Sequence, residues 1–300
     1  MSKPKILLVG SSGQLGQALS NTFDELCELH ELNRPRYDFN DKDHLKELIF
    51  HLKPDIIINA SGFTQVDLAE KNRLEAFRVN SEGPKLLSEI SRELDSLLVH
   101  FSTDYVFDGL KKKPYLERDE CKPLNVYGES KRSGEIAILD SGCKNIILRT
   151  SWVYSHLRNN FLLTILKLAK SKSSIRVVDD QFGSPTSTEQ ISLITLELVK
   201  LYLEGQKLKL GLFHFSALGK TNWYGFAKEI IIQAEKFNFS LTLSHENIIP
   251  VTSKEYSSSA LRPKNSLLDI RKLRTYLEVD PLKWQSALTS IIERIDIKKL

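Results

Sequence analysis

The first half of the chain alternates short aliphatic and β-branched runs with longer stretches whose apolar positions recur at helical spacing. Strands are expected over 5–9, 27–32, 55–59, 97–102 and 145–149. Ile56-Ile57-Ile58 and Ile146-Ile147-Leu148 are apolar without alternation, as strands covered on both faces of a parallel sheet must be. Helices are expected over 14–23, 41–52, 73–93 and 124–139, with Asp41 as a cap, Pro123 opening the last and Asp140-Ser141-Gly142 ending it. Strand and helix in regular alternation build right-handed βαβ units, hence an α/β chain with a doubly wound parallel sheet.

After residue 150 the rhythm loosens. Helices are expected over 160–170, 188–203, 222–237 and 284–294, strands over 174–178 and 211–215, and a loop over 181–186. No repeat or low-complexity linker interrupts the chain. Residues 1–155 therefore read as the sheet core, and 156–300 mainly as a smaller lobe packed on it, some of whose segments return to the core.

Composition narrows the function classes. With 41% apolar and 27% charged residues the chain is an ordinary globular one, and its net charge of +4 is too small and too scattered to argue for nucleic acid or membrane. The densest basic run, Lys111-Lys112-Lys113, reads as a solvated loop. Cys27, Cys121 and Cys143 show neither CxxC nor zinc-ligand spacing, which excludes a disulfide framework and suits a reducing compartment. The apolar run at Ile6 to Val9 is too short for a signal peptide, and nothing approaches a membrane span. A cytoplasmic protein is expected.

Gly10-Ser11-Ser12-Gly13-Gln14-Leu15-Gly16 leaves the first strand and enters the first helix. A pyrophosphate needs a tight turn, a backbone approach free of side chains, and the unpaired N–H groups of a helix start. The plainer alternative is a turn that merely closes a βα unit. The second strand ends Leu32-Asn33-Arg34-Pro35-Arg36, without a carboxylate to grip an adenosine ribose. Arg34 or Arg36 can instead pair with a 2′-phosphate, which favours NADPH over NADH, although both can equally face water.

Tyr127-Gly128-Glu129-Ser130-Lys131 sets a phenol and an ammonium one helical turn apart on one face. The cation is expected to pull the tyrosine pKa down toward working pH, so that the phenol can hand a proton to a carbonyl oxygen. Thr103 ends the fourth strand, where ligands sit in this architecture, and can hold that oxygen by a hydrogen bond. A strand-end hydroxyl satisfying the backbone is its bland alternative.

Together, Gly10, Gly13, Gly16, Thr103, Tyr127 and Lys131 resemble the extended short-chain dehydrogenase/reductase superfamily, whose core is Rossmann-like. Longer segments narrow the likeness: 59–67, 102–109, 123–128, 149–154, 180–186 and 262–266 resemble the dTDP-4-dehydrorhamnose reductase family, from residue 5 to about 270. The resemblance implies a dinucleotide-binding core and a substrate-binding lobe. It also implies reduction of the 4-keto group of a dTDP-linked 6-deoxyhexose by NADPH, or NADH, with no metal in the chemistry. Tyr127 would donate the proton, Lys131 would tune it and orient the nicotinamide ribose, and Thr103 would bind the reacting oxygen. Gln14, Leu15, Ala60, Ser61 and Gly62 would lie along the cofactor, and Asp38 and Phe39 by the adenine. Val66, Asp104, Tyr105 and Trp152 would line the sugar pocket, with Arg262 and Asn265 toward the diphosphate.

One departure stands out. Family members that use a magnesium-linked dimer carry a carboxylate where this chain has Ala18, leaving Glu189 alone, so any homodimer is expected to lack a magnesium bridge. Two other readings remain open at this point: another nucleotide-sugar enzyme of the superfamily, and a regulatory partner resembling the methionine adenosyltransferase β subunit.

Overall fold

The structure, a computed structural model, describes residues 3–297 apart from 257, 278 and 279. In chain order the strands are β1 (Lys5–Val9), β2 (Glu28–Leu32), β3 (Ile56–Asn59), β4 (Leu97–Thr103), β5 (Lys144–Thr150) and β6 (Val153–Tyr154). They continue as β7 (Ile175–Val178), β8 (Phe182–Gly183), β9 (Thr186–Ser187), β10 (Gly211–His214), β11 (Thr221–Asn222) and β12 (Ile248–Val251). The helices begin with α1 (Gln14–Phe23), α2 (Lys42–Leu52), α3 (Val66–Lys71), α4 (Arg73–Phe77), α5 (Gly83–Glu93) and α6 (Val126–Asp140). They end with α7 (Phe161–Ser171), α8 (Thr188–Leu203), α9 (Trp223–Lys236), α10 (Ser253–Tyr256), α11 (Arg271–Arg274) and α12 (Trp284–Ile292).

Six strands form one parallel sheet in the order β2-β1-β3-β4-β5-β10. Chain order reverses between β1 and β3, and at that reversal the connections leave for opposite faces and open a crevice at the carboxyl ends. The isoleucine runs do what their lack of alternation requires. Ile56 and Ile58 pack on one face with Leu19 and Phe23 of α1 and Ile191 and Leu198 of α8. Ile57, with Leu98 and Ile147, packs on the other against Ile49 of α2 and Leu87 of α5. Each such side chain taken out of water contributes roughly 1.5–3 kcal/mol, so both layers hold the strand ends rigid.

A separate apolar cluster joins Tyr154 to α7, α9 and α12 through Leu162, Leu166, Phe226, Ile230 and Leu288. It builds the body that faces the crevice from the C-terminal side. Helix α8 and strand β10, although later than residue 156, belong to the sheet layer.

Three local expectations need correction. The helix expected over 73–93 is broken into α4, a π-helical turn (Arg78–Glu82) and α5. The extra residue in that turn points Asn80 inward, where its amide accepts from Phe63 N at 2.8 Å and donates to Phe63 O and to Ser130 Oγ at 3.0 Å. Helix α6 starts three residues after Pro123, because Asn125 caps it by accepting from Gly128 N at 2.8 Å. Helix α3 was not anticipated; its six residues bury only Ala69, too little to leave a periodic signal. Asp41 does cap α2, accepting from His44 N at 3.1 Å. Among the described residues, no helix is long and apolar enough to cross a membrane.

Candidate active site

The glycine turn is shaped by contact. Gly10 has φ +85°, and a Cβ there would stand 2.7 Å from Ser61 N. A Cβ on Gly16 would stand 2.2 Å from Gly10 O, so Gly16 seats the helix on the turn and does not itself reach the crevice. Asn33 closes the turn from β2, accepting from Ser12 N at 2.6 Å and donating to Ser11 Oγ at 2.6 Å. Across the crevice, Asn59 Oδ1 accepts from Ser61 N at 3.1 Å and from Ser61 Oγ at 2.5 Å, which fixes the loop after β3.

Two adjoining cavities meet at Gly13, Ala60, Ser61 and Gly62. One, of about 410 Å³, runs past Gln14 and Leu15 to Thr103, Tyr127 and Lys131. The other, of about 430 Å³, runs outward past Gly10 and Ser12 to Arg34, Tyr37 and Glu75. A side-chain-free turn at the waist of two such cavities, with a helix N-terminus aimed into it, suits a dinucleotide with its pyrophosphate at the waist.

The outer cavity corrects part of the sequence reading. Arg34 lines it, with its guanidinium 3.2 Å from Glu75, while Arg36 is exposed. Asp38 turns to Asn40, whose backbone and amide donors hold its carboxyl below the usual range. Phe39 is 1% exposed and packs on Gly83, so its ring is spent in the core between α2 and α5. The aromatic residues lining that cavity are Tyr37 and Phe63, for which the sequence offered no pattern.

Thr103, Tyr127 and Lys131 line one wall of the inner cavity, brought together by the carboxyl end of β4 and the first turns of α6. The expected electrostatics do not hold. Burial pushes the Tyr127 phenol up to about 12, with the Asp104 carboxylate adding to the rise and the Thr103 hydroxyl partly offsetting it. The Lys131 ammonium donates to Phe101 O at 2.6 Å, and burial lowers the lysine's own pKa to about 8 against the opposing pull of Glu135. A phenol that keeps its proton at neutral pH is a proton source. Asp104, directly beside Thr103, is pushed up to about 7 by burial, despite accepting from Thr103 Oγ1 at 3.1 Å.

A third cavity of about 400 Å³ continues from Val66 and Tyr105 toward α7 and β7. Tyr105 stands edge-on to Tyr127, with ring centres 5.6 Å apart. Trp152, held at φ +49°, faces the inner cavity while its ring stacks on Trp223 at 3.6 Å and 6°. Trp223 lines both cavities and donates from Nε1 to Gln181 at 3.2 Å. Phe161, Arg176 and Tyr256 also line this region. Trp223, Phe161, Arg176 and Tyr256 had no signal in the sequence; a stacking partner 71 residues away, as Trp223 is from Trp152, leaves no local pattern.

Arg262 borders the third cavity and is paired with Asp67, Nη2 to Oδ2 at 2.5 Å. Asn265 is not among the residues lining the three cavities described above. Its amide donates to Lys111 O at 2.7 Å and Lys113 O at 3.2 Å and accepts from Leu267 N at 3.2 Å, so it clamps the lysine loop. That loop is thereby pinned, and Lys111 also pairs with Asp119. On the outer side of α1, Glu189 shares a small cavity with Ala18 and is engaged by His156 at 3.2 Å and Thr188 at 3.1 Å.

Comparison with known proteins agrees with this geometry. The family model described as the RmlD substrate binding domain matches residues 4–297. The dTDP-4-dehydrorhamnose reductase of Aggregatibacter actinomycetemcomitans is 37% identical over 289 residues, 96% of this chain and 98% of that protein. The crystal structure of dTDP-4-dehydrorhamnose reductase from Bacillus anthracis in complex with NADP superimposes with a TM-score of 0.89 at 31% identity, covering 97% of this chain and 99% of the other. The Clostridium acetobutylicum orthologue superimposes with a TM-score of 0.88 at 31% identity, covering 96% and 98%. With its glycine turn, its Thr103–Tyr127–Lys131 wall and this full-length likeness, the chain belongs to the dTDP-4-dehydrorhamnose reductase family.

Proposed function

We propose that this protein reduces the 4-keto group of dTDP-4-dehydro-6-deoxy-L-mannose to give dTDP-L-rhamnose, with NADPH as cofactor. The observation that carries the reading is the coincidence of two things. Relatives named for this reaction match almost the whole chain, and Thr103, Tyr127 and Lys131 share a cavity wall with the glycine turn. When bound, the dihydronicotinamide supplies the hydride. The turn from Gly10 to Leu15 and the loop from Ala60 to Gly62 would hold the dinucleotide, and Arg34 would offer a cation to its 2′-phosphate.

With substrate bound, the Thr103 hydroxyl turns its proton from Asp104 to the ketone oxygen and sets that oxygen beside Tyr127. The Tyr127 phenol gives that oxygen its proton as charge develops there, and Lys131 steadies the phenolate left behind. Val66, Tyr105, Trp152 and Trp223 give the methyl-bearing face of the sugar an apolar wall, with Arg262 and Arg176 toward the diphosphate end. The three cysteines are free thiols, which suits a cytoplasmic enzyme. Any homodimer is read as free of a magnesium bridge, because Glu189 already serves His156 and Thr188; light scattering should give the same mass with and without chelator.

The direct test mixes the protein with the keto sugar and NADPH and follows cofactor absorbance. One NADPH is expected to disappear per sugar reduced. Absence of consumption, with both ligands shown to bind, overturns the reading.

A further inference from the structure

Beneath the catalytic wall lies a buried ion pair that the proposed chemistry leaves untouched. The side chains of Glu135 and Arg149 are 0% and 1% exposed. Arg149 grips the carboxylate as a fork, Nε to Oε1 and Nη2 to Oε2, each at 2.7 Å. Ser102 Oγ donates to Oε1 at 2.5 Å, and Arg132 Nη1 donates to Oε2 at 2.9 Å. The far side of the guanidinium meets Cys121 Sγ at 3.1 Å, His214 Nε2 at 3.3 Å and the Phe107 ring at 5.0 Å.

A pair this deeply buried is weak as a source of stability, because desolvation offsets most of its attraction. Its connections point to another role. Tyr127, Lys131 and Glu135 follow one another at four-residue spacing on a single face of α6. Lys131 binds the carbonyl of Phe101 and Glu135 binds the hydroxyl of Ser102, which leaves Thr103 as the next residue of β4. Ser102 and Arg149 are register partners across β4 and β5, as are Thr103 and Thr150. The carboxylate thus ties one helix face to two strand ends, a single residue short of the catalytic hydroxyl.

We propose that Glu135 is a positioning residue for the reduction: clamped by Ser102 and Arg149, its carboxylate fixes the register of α6 on β4 so that Tyr127 and Lys131 meet Thr103. The inference rests on the roles given to Tyr127, Lys131 and Thr103 above. The same carboxylate favours the ammonium form of Lys131 against burial. Of the other groups around it, His100 of β4 is held neutral by burial and by Lys131 itself, Tyr127 keeps its proton, and Arg149 and the partly exposed Arg132 are cations that pair with Glu135.

The test compares the full chain with Glu135→Gln, which keeps the shape and removes the charge, and with the double variant Glu135→Leu/Arg149→Met, which removes both partners of the buried pair together. Both are expected to lose about tenfold or more in kcat while the KM for the nucleotide sugar stays within about twofold, since misplaced groups cost rate more than ground-state binding. Their activity should also fall away at lower pH on the alkaline side. Glu135→Asp keeps the charge but shortens the reach, so kcat should fall with the alkaline limb in place. A folded double variant with the parent kcat and pH profile overturns the proposal. Should neither charge-removing variant fold, Ser102→Ala, which removes one hydroxyl and creates no unpaired charge, decides it: an unchanged kcat and profile is again the overturning result. An inert parent enzyme would instead sink the reductase reading, so the two failures are distinguishable.

Discussion

Tyr127 and Lys131 carry opposite displacements for one cause, burial, and that decides which of them sets the pH response. The phenol is pushed up to about 12 and stays protonated through the working range, whereas the ammonium is brought down to about 8. The charged form of Lys131 is present below that value and lost as pH rises through it, so kcat should decline above about pH 8. Lys131→Met should leave a low, flat profile there. Tyr127→Phe keeps the ring and removes the proton, and a loss of at least about a hundredfold in turnover with NADPH still bound is expected in steady-state and fluorescence measurements. Asp104 gives a stability prediction. Its folded-state pKa of about 7 lies above the ordinary 3.8, so its contribution is whole below about pH 4 and is lost as pH rises through about 7. Asp104→Asn should therefore raise Tm by a few degrees at about pH 8, and by less at about pH 5; equal melts at both would mean the carboxylate is better solvated than its burial implies.

At the scale of elements, the sequence and the structure agree where one element's own residues decide its shape. Strands such as β3 are legible because every position is apolar, and α1 and α8 because their buried residues recur at helical spacing. Thr103, Tyr127 and Lys131 were legible for a similar reason, since strand end and helix face are both local patterns. What escaped depends on distant segments meeting: Tyr37 on the outer cavity, Trp223 against Trp152, and the π-helical turn that breaks the 73–93 helix. That turn is also where an element-scale prediction belongs. Asn80, carried inward by it, is 1% exposed and holds Phe63 from both sides as well as Ser130 on α6. Asn80→Ala leaves the Phe63 N–H without a partner, which should cost about 1–3 kcal/mol in denaturant melts. The loop from Ala60 to Thr64 lines both cavities proposed for the dinucleotide, so NADPH binding should weaken more than nucleotide-sugar binding.

For the whole molecule, the question is how the C-terminal body is kept over the crevice, because the third cavity, proposed above for the nucleotide sugar, is made from both. The tie runs through Asp67 of α3. Its carboxylate accepts from Ser259 Oγ at 2.8 Å and Ala260 N at 3.0 Å as well as pairing with Arg262, and Asn125 donates to Leu261 O at 2.7 Å beside it. Segment 258–262 is thereby strapped to the helix that begins at Val66, and Val66, Ser258 and Arg262 all line the third cavity. Those donors and the Arg262 charge draw the Asp67 pKa down to about 2, so the strap holds at any pH above that, and mild acid will not release it. Substitution will. Asp67→Ala frees the strap without touching the glycine turn or the Tyr127 wall, so the KM for the nucleotide sugar should rise about tenfold while the Kd for NADPH and kcat stay within about twofold. Arg262→Lys should not behave like the parent, because an ammonium cannot reproduce the guanidinium fork that spans Asp67 and the Ala260 carbonyl. An equal loss of NADPH affinity in Asp67→Ala would show that the strap braces the entire crevice, and the assignment of the third cavity to the sugar nucleotide would then have to be given up.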